Sequence, residues 1–339
     1  MSSRPCPEHW QDSAAWLVQA IDPRARLARF IAMDEAAYRE ASFLDDRMLQ
    51  QQRESRICPL DEMLEGARAL ERDDARWIFH IGHVGSTLVS RLLGEVEGVL
   101  AVREPRALRD LGFARVPEQI DWAPALRKAM ARTFSPGQAA LVKATSFVSE
   151  WAQWLVADGG KALFLFATPR NYVAGILAGE NSVKELAALS DIRADRLLRH
   201  RGIELEGFDR SLAHRAAAAW ACEMTSLEEA ASARPGAAIS WEDFDLMLAD
   251  MPAALGRCAA HFGFDATRDL LGSLANGPLM TRYSKALEYD YSPSLRADLL
   301  AEAEEQHRAD IDAAIDALHR AAASQPLLAR ALERSEREP

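Results

Sequence analysis

The sequence predicts an α/β protein whose mostly parallel sheet lies between helical layers. Short apolar runs recur between residues 77 and 240, helical stripes separate them, and the first run ends in a glycine turn that opens a helix. Unbroken apolar runs are what strands covered on both faces require, and strands alternating with helices imply parallel pairing. Ligands in such sheets bind at the carboxyl ends of the strands.

The chain has 339 residues, 49% of them hydrophobic and 27% charged, enough to bury a large core without metal or disulfide staples. Its formal charge of −11 argues against nonspecific binding to nucleic acid or anionic membrane. Residues 1–10 lack the apolar stretch of a secretion signal, and no run approaches the ~18–20 apolar residues of a membrane span. Cys6, Cys58, Cys222 and Cys258 are dispersed, with no metal-ligand spacing. Reduced thiols, no metal site and a cytoplasmic location are therefore expected.

Residues 1–74 read as an N-terminal helical segment. Trp16, Leu17 and Ile21, then Leu27, Phe30 and Ile31, recur at near-helical spacing interrupted at Pro23, and Pro59-Leu60-Asp61 resembles a helix start. Strands are expected at Trp77–Ile81, Val99–Val102, Ala139–Val142, Ala162–Phe166 and Ala237–Ser240. Leu88, Val89, Leu92 and Leu93 mark one intervening helix, and Trp151, Trp154 and Leu155 another. Residues 180–216, with Lys184, Arg193, Arg196, Arg199, Arg201 and Arg210, read as a basic helical insertion or lid. Long helices follow over Asp243–Phe264 and Pro293–Ala323. Residues 75–325 form the main domain in this reading, and 326–339 a charged tail, frayed over Glu333–Pro339.

The chemistry concentrates in Phe79-His80-Ile81-Gly82-His83-Val84-Gly85-Ser86-Thr87-Leu88. Gly82 and Gly85 let the backbone turn tightly against a bulky anion, and the following helix offers free N–H groups and its positive dipole end. Ser86 and Thr87 can cap that helix or bond a phosphate oxygen. The plainer reading is an ordinary glycine turn into a capped helix. The loop makes the expected class a P-loop NTPase-like three-layer α/β/α fold with N- and C-terminal helical additions. The lysine of a Walker A motif is missing, because Ser86 follows Gly85 directly, which disfavours a conventional ATPase or GTPase.

In these residues the chain resembles the sulfotransferase superfamily, especially its bacterial and tyrosylprotein-sulfotransferase-like branches, which carry strand, G-x-P-R-S-G-T-T-L, helix. An ungapped overlay puts Gly85 on the loop glycine, Ser86 and Thr87 on the two threonines, and His83 on the arginine. The resemblance implies that the loop cradles the 5′-phosphosulfate of PAPS. It also makes Glu104, 17 residues beyond Thr87, the catalytic base. Leu141-Val142-Lys143-Ala144-Thr145 resembles a V-V-K-T-H stretch. Ile239-Ser240-Trp241-Glu242-Asp243-Phe244 and Phe262-Gly263-Phe264 are similar to Y-E-D-L and F-L-G-L landmarks, and Arg282-Tyr283-Ser284-Lys285 to a late basic loop over the nucleotide. The 3′-phosphate motif falls on Ala167-Thr168-Pro169-Arg170-Asn171, with Gly175 at its serine, so neither its arginine nor its serine is kept.

The expected function is transfer of a sulfuryl group from PAPS to a hydroxyl, or an amine, of a small-molecule or peptide acceptor. Such chemistry needs in-line positioning, cations near the bridging oxygens and a base for the acceptor. Glu104 is assigned as base, Lys143 as the charge at the leaving oxygen, and His83 as loop cation or proton donor. Arg170, Arg282 and Lys285 are assigned to the nucleotide. The plainer alternatives are ion pairing of Glu104 with Arg103, Arg106 or Arg109, and surface placement of the other charges. His80 reads as a packing histidine and Glu242 as a structural carboxylate. Two other functions stay open: an ATP-dependent small-molecule kinase with Mg²⁺ held by Ser86 or Thr87, and a non-catalytic nucleotide-binding or interaction protein.

Overall fold

The computed structural model describes residues 5–114, 116–281 and 292–336. Eight strands are seen among them: β1 (Trp16–Asp22), β2 (Leu27–Ala32), β3 (Ser55–Pro59), β4 (Arg76–His80), β5 (Val99–Arg103), β6 (Ala139–Lys143), β7 (Lys161–Phe166) and β8 (Ala238–Asp243). The last five form a parallel sheet in the order β5-β6-β4-β7-β8. Strand β4 is central, and the chain leaves it first toward β5 and β6 and later toward β7 and β8. The order reverses beside β4, so a crevice is expected where β4 and its neighbours end. Every residue of β5 and all but the first of β7 are buried, as strands sandwiched between helices must be. The expected three-layer α/β/α class is thus the one observed, and the five expected strands are present.

The N-terminal segment is not helical, contrary to the sequence reading. Strands β1, β2 and β3 make a separate antiparallel sheet in that order. Leu17 to Ile21 are all buried, Gln19 included, so β1 lacks the alternation that marks a one-sided strand and its apolar spacing imitates a helix. The interruption at Pro23 is a hairpin turn, in which the Asp22 carboxylate accepts from the N–H groups of Arg24 and Ala25 and Arg26 has a φ of 57°. The helix expected after Pro59 does form, over Leu60–Arg68. Cys6 and Cys58 are joined by a disulfide with their Cα atoms 5.0 Å apart, so these two are not the reduced thiols expected; Cys222 and Cys258 are free and buried.

Two buried arginines tie the antiparallel layer to the parallel sheet. Arg132 donates to the carbonyls of Ser13 (3.0 Å), Trp16 (2.8 Å) and Trp10, and Arg103 to those of Ala41 (2.8 Å), Arg39 (2.8 Å) and Tyr38. Burial pulls their guanidinium pKa values down, to about 10 for Arg132 and about 9 for Arg103.

The basic insertion is two helices, Glu180–Arg201 and Leu212–Ala233, and much of its charge points inward. Arg193 donates to Glu223 (2.8 Å), Arg196 to Glu150 (2.9 Å), and Arg201 to Glu229 (2.5 Å), so the expected cationic lid is largely neutralised internally. The stretch expected as one helix from Asp243 to Phe264 breaks at Asp250, which caps a second helix, Met251–Phe262. The helix Pro293–Ala322 is kinked at His307. Residues 326–336, expected as part of a charged tail, form the helix Pro326–Glu336: Leu328, Ala331 and Leu332 are buried, and Arg334 bonds the buried Glu228. Among the described residues no helix is long and apolar enough to cross a membrane.

Candidate anion-binding site

The turn after β4 has the backbone of an anion nest. Gly82, His83 and Gly85 have φ values of 90°, 55° and 60°, and the helix Ser86–Leu93 begins directly afterwards. His83 is a non-glycine residue in the left-handed region, where strain of about 1–3 kcal/mol is usual and clusters at functional positions. The first helical bond runs from Val89 N–H to Gly85 carbonyl (3.0 Å). Among the described residues, the N–H groups of His83 through Leu88 meet no acceptor, and no side chain caps the helix. Consecutive unpaired N–H groups with the helix dipole behind them attract an anion. The Thr87 hydroxyl, 1% exposed, is also without a hydrogen-bond partner.

His80, read from sequence as packing, shapes this turn. Its Nδ1 accepts from Gly82 N–H (3.1 Å), and its Nε2 faces the Ala144 carbonyl (2.9 Å). That pattern requires the neutral Nε2–H tautomer. Adjacency to the turn was the only sequence sign of this role.

Gly85 is needed for a different reason from the one expected. A Cβ there would lie 1.9 Å from Cζ and 2.0 Å from Cε2 of Phe244, so the residue leaves room for a buried aromatic ring rather than for the anion. Phe244 belongs to the Trp241-Glu242-Asp243-Phe244 landmark. Its neighbour Glu242 is structural as expected, bonding Arg257 through both oxygens (2.9 and 2.7 Å), and Asp243 caps the helix Phe244–Ala249.

At the ends of β5 and β6, Glu104 and Lys143 meet. Glu104 is another non-glycine residue at positive φ, 51°, held there by its N–H bond to the Lys143 carbonyl (2.7 Å). Its carboxylate pairs with Lys143 Nζ, which has 0% exposure, whereas the Glu104 side chain keeps 18%. The arginines offered as alternative partners do not take this carboxylate: Arg103 bonds carbonyls, Arg106 bonds Asp46 and Asp110, and Arg109 lies over the Phe113 ring. The next residue, Ala144, donates to the Ile78 carbonyl (3.0 Å) and receives His80, so the ion pair and the nest are joined through one strand end.

The remaining candidates are engaged elsewhere or undescribed. His83 faces Ser182 (Nδ1 to Oγ 3.1 Å) and Glu185 (Nε2 to Oε2 3.3 Å), pinning the helix Glu180–Arg201 to the turn. Arg170 is turned to the helix Pro293–Ala322, where it meets Asp312 (2.6 Å) and Glu304, and the hydrogen bond it gives to Asp312 leads in raising its pKa. Thr168 caps the helix Pro169–Leu177, and a Cβ on Gly175 would meet Leu300 at 3.5 Å. Arg282 and Lys285 lie outside the described residues.

No protein-family model matches the chain, and no curated protein does. Among solved structures it is similar to mouse sulfotransferase SULT7A1 complexed with PAP, at 11% identity and a TM-score of 0.43 over 80% of this chain and 93% of that one. It is also similar to the sulfotransferase domain from the curacin biosynthetic pathway, at 11% identity and a TM-score of 0.38 over 69% of this chain and 96% of that one.

Proposed function

We propose that the chain is a sulfotransferase-like enzyme that holds the 5′-phosphosulfate of PAPS on the turn from Gly82 to Thr87 and transfers the sulfuryl group to an acceptor hydroxyl or amine. The observation that carries this reading is the row of unpaired N–H groups from His83 to Leu88 at the end of the central strand. A terminal phosphate or sulfate fits such a row, and the buried Thr87 hydroxyl adds one more unmet donor. PAPS, when bound, supplies an activated sulfuryl group. Glu104 accepts the acceptor's proton from its partly exposed position. Lys143, fixed beside it, holds positive charge close to the transfer line and is kept desolvated, where its field is strong.

The 3′-phosphate of PAPS fits less well. Arg170, the cation closest in sequence to that motif, is already held by Glu304 and Asp312. This favours, as a second reading, a donor without a 3′-phosphate, such as ATP with Mg²⁺. Titration calorimetry with PAP and with ADP, each with and without Mg²⁺, separates the two. PAP binding without metal is the expected result. Tight ADP binding only with Mg²⁺ shifts the assignment to a kinase, and binding of neither sinks both.

A further inference from the structure

The loop lacks both a Walker lysine and a free arginine, so something else must meet the outer oxygens of a bound anion. Two hydroxyls stand beside Gly82. Ser146 Oγ lies 3.4 Å, and Tyr172 Oη 4.0 Å, from the position a Cβ would occupy on that glycine. Both residues are buried, at 4% and 3% exposure. Tyr172 Oη takes part in no hydrogen bond among the described residues, so its proton is available to a ligand at the turn. Ser146 Oγ accepts from Arg193 Nη2 (3.1 Å), which leaves its proton free to point elsewhere. Arg193 is itself fixed by Glu223 (2.8 Å), which neutralises its charge and holds the Nη2 that orients Ser146.

We infer that Tyr172 is a further binding residue of this site: its hydroxyl donates to the phosphate or sulfate seated on the Gly82–Thr87 turn, with Ser146 beside it, positioned by Arg193. The inference rests on the anion-binding reading of the turn. Neutral hydroxyl donors stand where a loop cation would, so selectivity for a terminal oxyanion comes from preorganised hydrogen bonds. Burial pushes the Tyr172 phenol pKa well up, opposed by Arg193, so the donor proton stays in place throughout any practical assay range.

The test is calorimetric binding of inorganic pyrophosphate and of PAP to the full chain and to Tyr172→Phe, with thermal melts of both. The substitution removes one oxygen that has no protein partner, so Tm is expected to hold or rise. Affinity for both ligands is expected to fall about ten- to a hundredfold, the loss usual for one hydrogen bond to a charged group. Ser146→Ala is expected to lower affinity in the same direction but also to lower Tm, because it leaves a buried Arg193 N–H without its acceptor. If the parent binds both ligands and Tyr172→Phe binds them within twofold, the inference about Tyr172 is overturned while the loop reading stands. If the parent binds neither, the loop reading itself falls and takes the inference with it.

Discussion

Replacing Gly85 by alanine should unfold the loop's support from two directions at once. The residue sits at φ 60°, ψ 11°, and an L side chain in that region costs about 1–2 kcal/mol. The new Cβ would also fall 1.9, 2.0 and 2.6 Å from three carbons of the Phe244 ring, which is 2% exposed and cannot move without repacking. Overpacking of that kind costs about 1–3 kcal/mol, so the expected loss is about 2–5 kcal/mol. Phe244→Leu removes Cε2 and Cζ, the two closest atoms. In that background the backbone part and a weaker contact with the remaining Cδ should persist, leaving a coupling of about 1–3 kcal/mol between the two sites. Urea denaturation of the four proteins in the cycle, read as Cm at constant m, measures it. Equal losses from Gly85→Ala in both backgrounds, within about 0.5 kcal/mol, would refute the claim that the glycine exists to admit the ring.

Glu104→Gln removes the carboxylate beside a fully buried lysine, so stability should fall by about 3 kcal/mol along with turnover. Adding Lys143→Met should restore most of the stability and none of the turnover, as denaturation and initial-rate assays would reveal. Burial, ahead of other causes, lowers the pKa of His214 and His261 from the ordinary 6.5. The unfolded chain therefore takes up these protons first, and the stability they contribute is complete above pH 6.5 and lost as pH falls below it. The slope is at most about 1.4 kcal/mol per pH unit for each histidine, measured as Cm between pH 7.5 and 5.5, and His261→Gln should flatten it.

The parallel sheet was legible because β4, β5, β6 and β7 are continuous apolar runs with few competing patterns, and the loop because glycine spacing is a local signal. The match of Glu104 with Lys143 was legible only as two separate strand-end candidates; their pairing depends on sheet register, which no local pattern records. Strand β1 was misread because burial on both faces erases period-2 alternation, and its buried Gln19 gave no contrary hint. The inward turn of the insertion's arginines was hidden because their partners lie on other elements, Glu223 and Glu229 on the neighbouring helix Leu212–Ala233 and Glu150 46 residues before Arg196. Phe244 lies 159 residues beyond Gly85, so the reason for that glycine could not be seen from the motif around it.

Arg103 and Arg132 carry a consequence for where this chain can be cut. Each guanidinium reads out carbonyl oxygens that belong to the first 41 residues, and neither has a carboxylate to fall back on among its bonds. A fragment starting at β4 would strip Arg103 of its acceptors and leave Arg132 only the Ala129 carbonyl (2.9 Å). The opening segment thus works as a stopper for the sheet rather than as a detachable appendage, and a shortened version would first need both arginines replaced by neutral side chains of similar length.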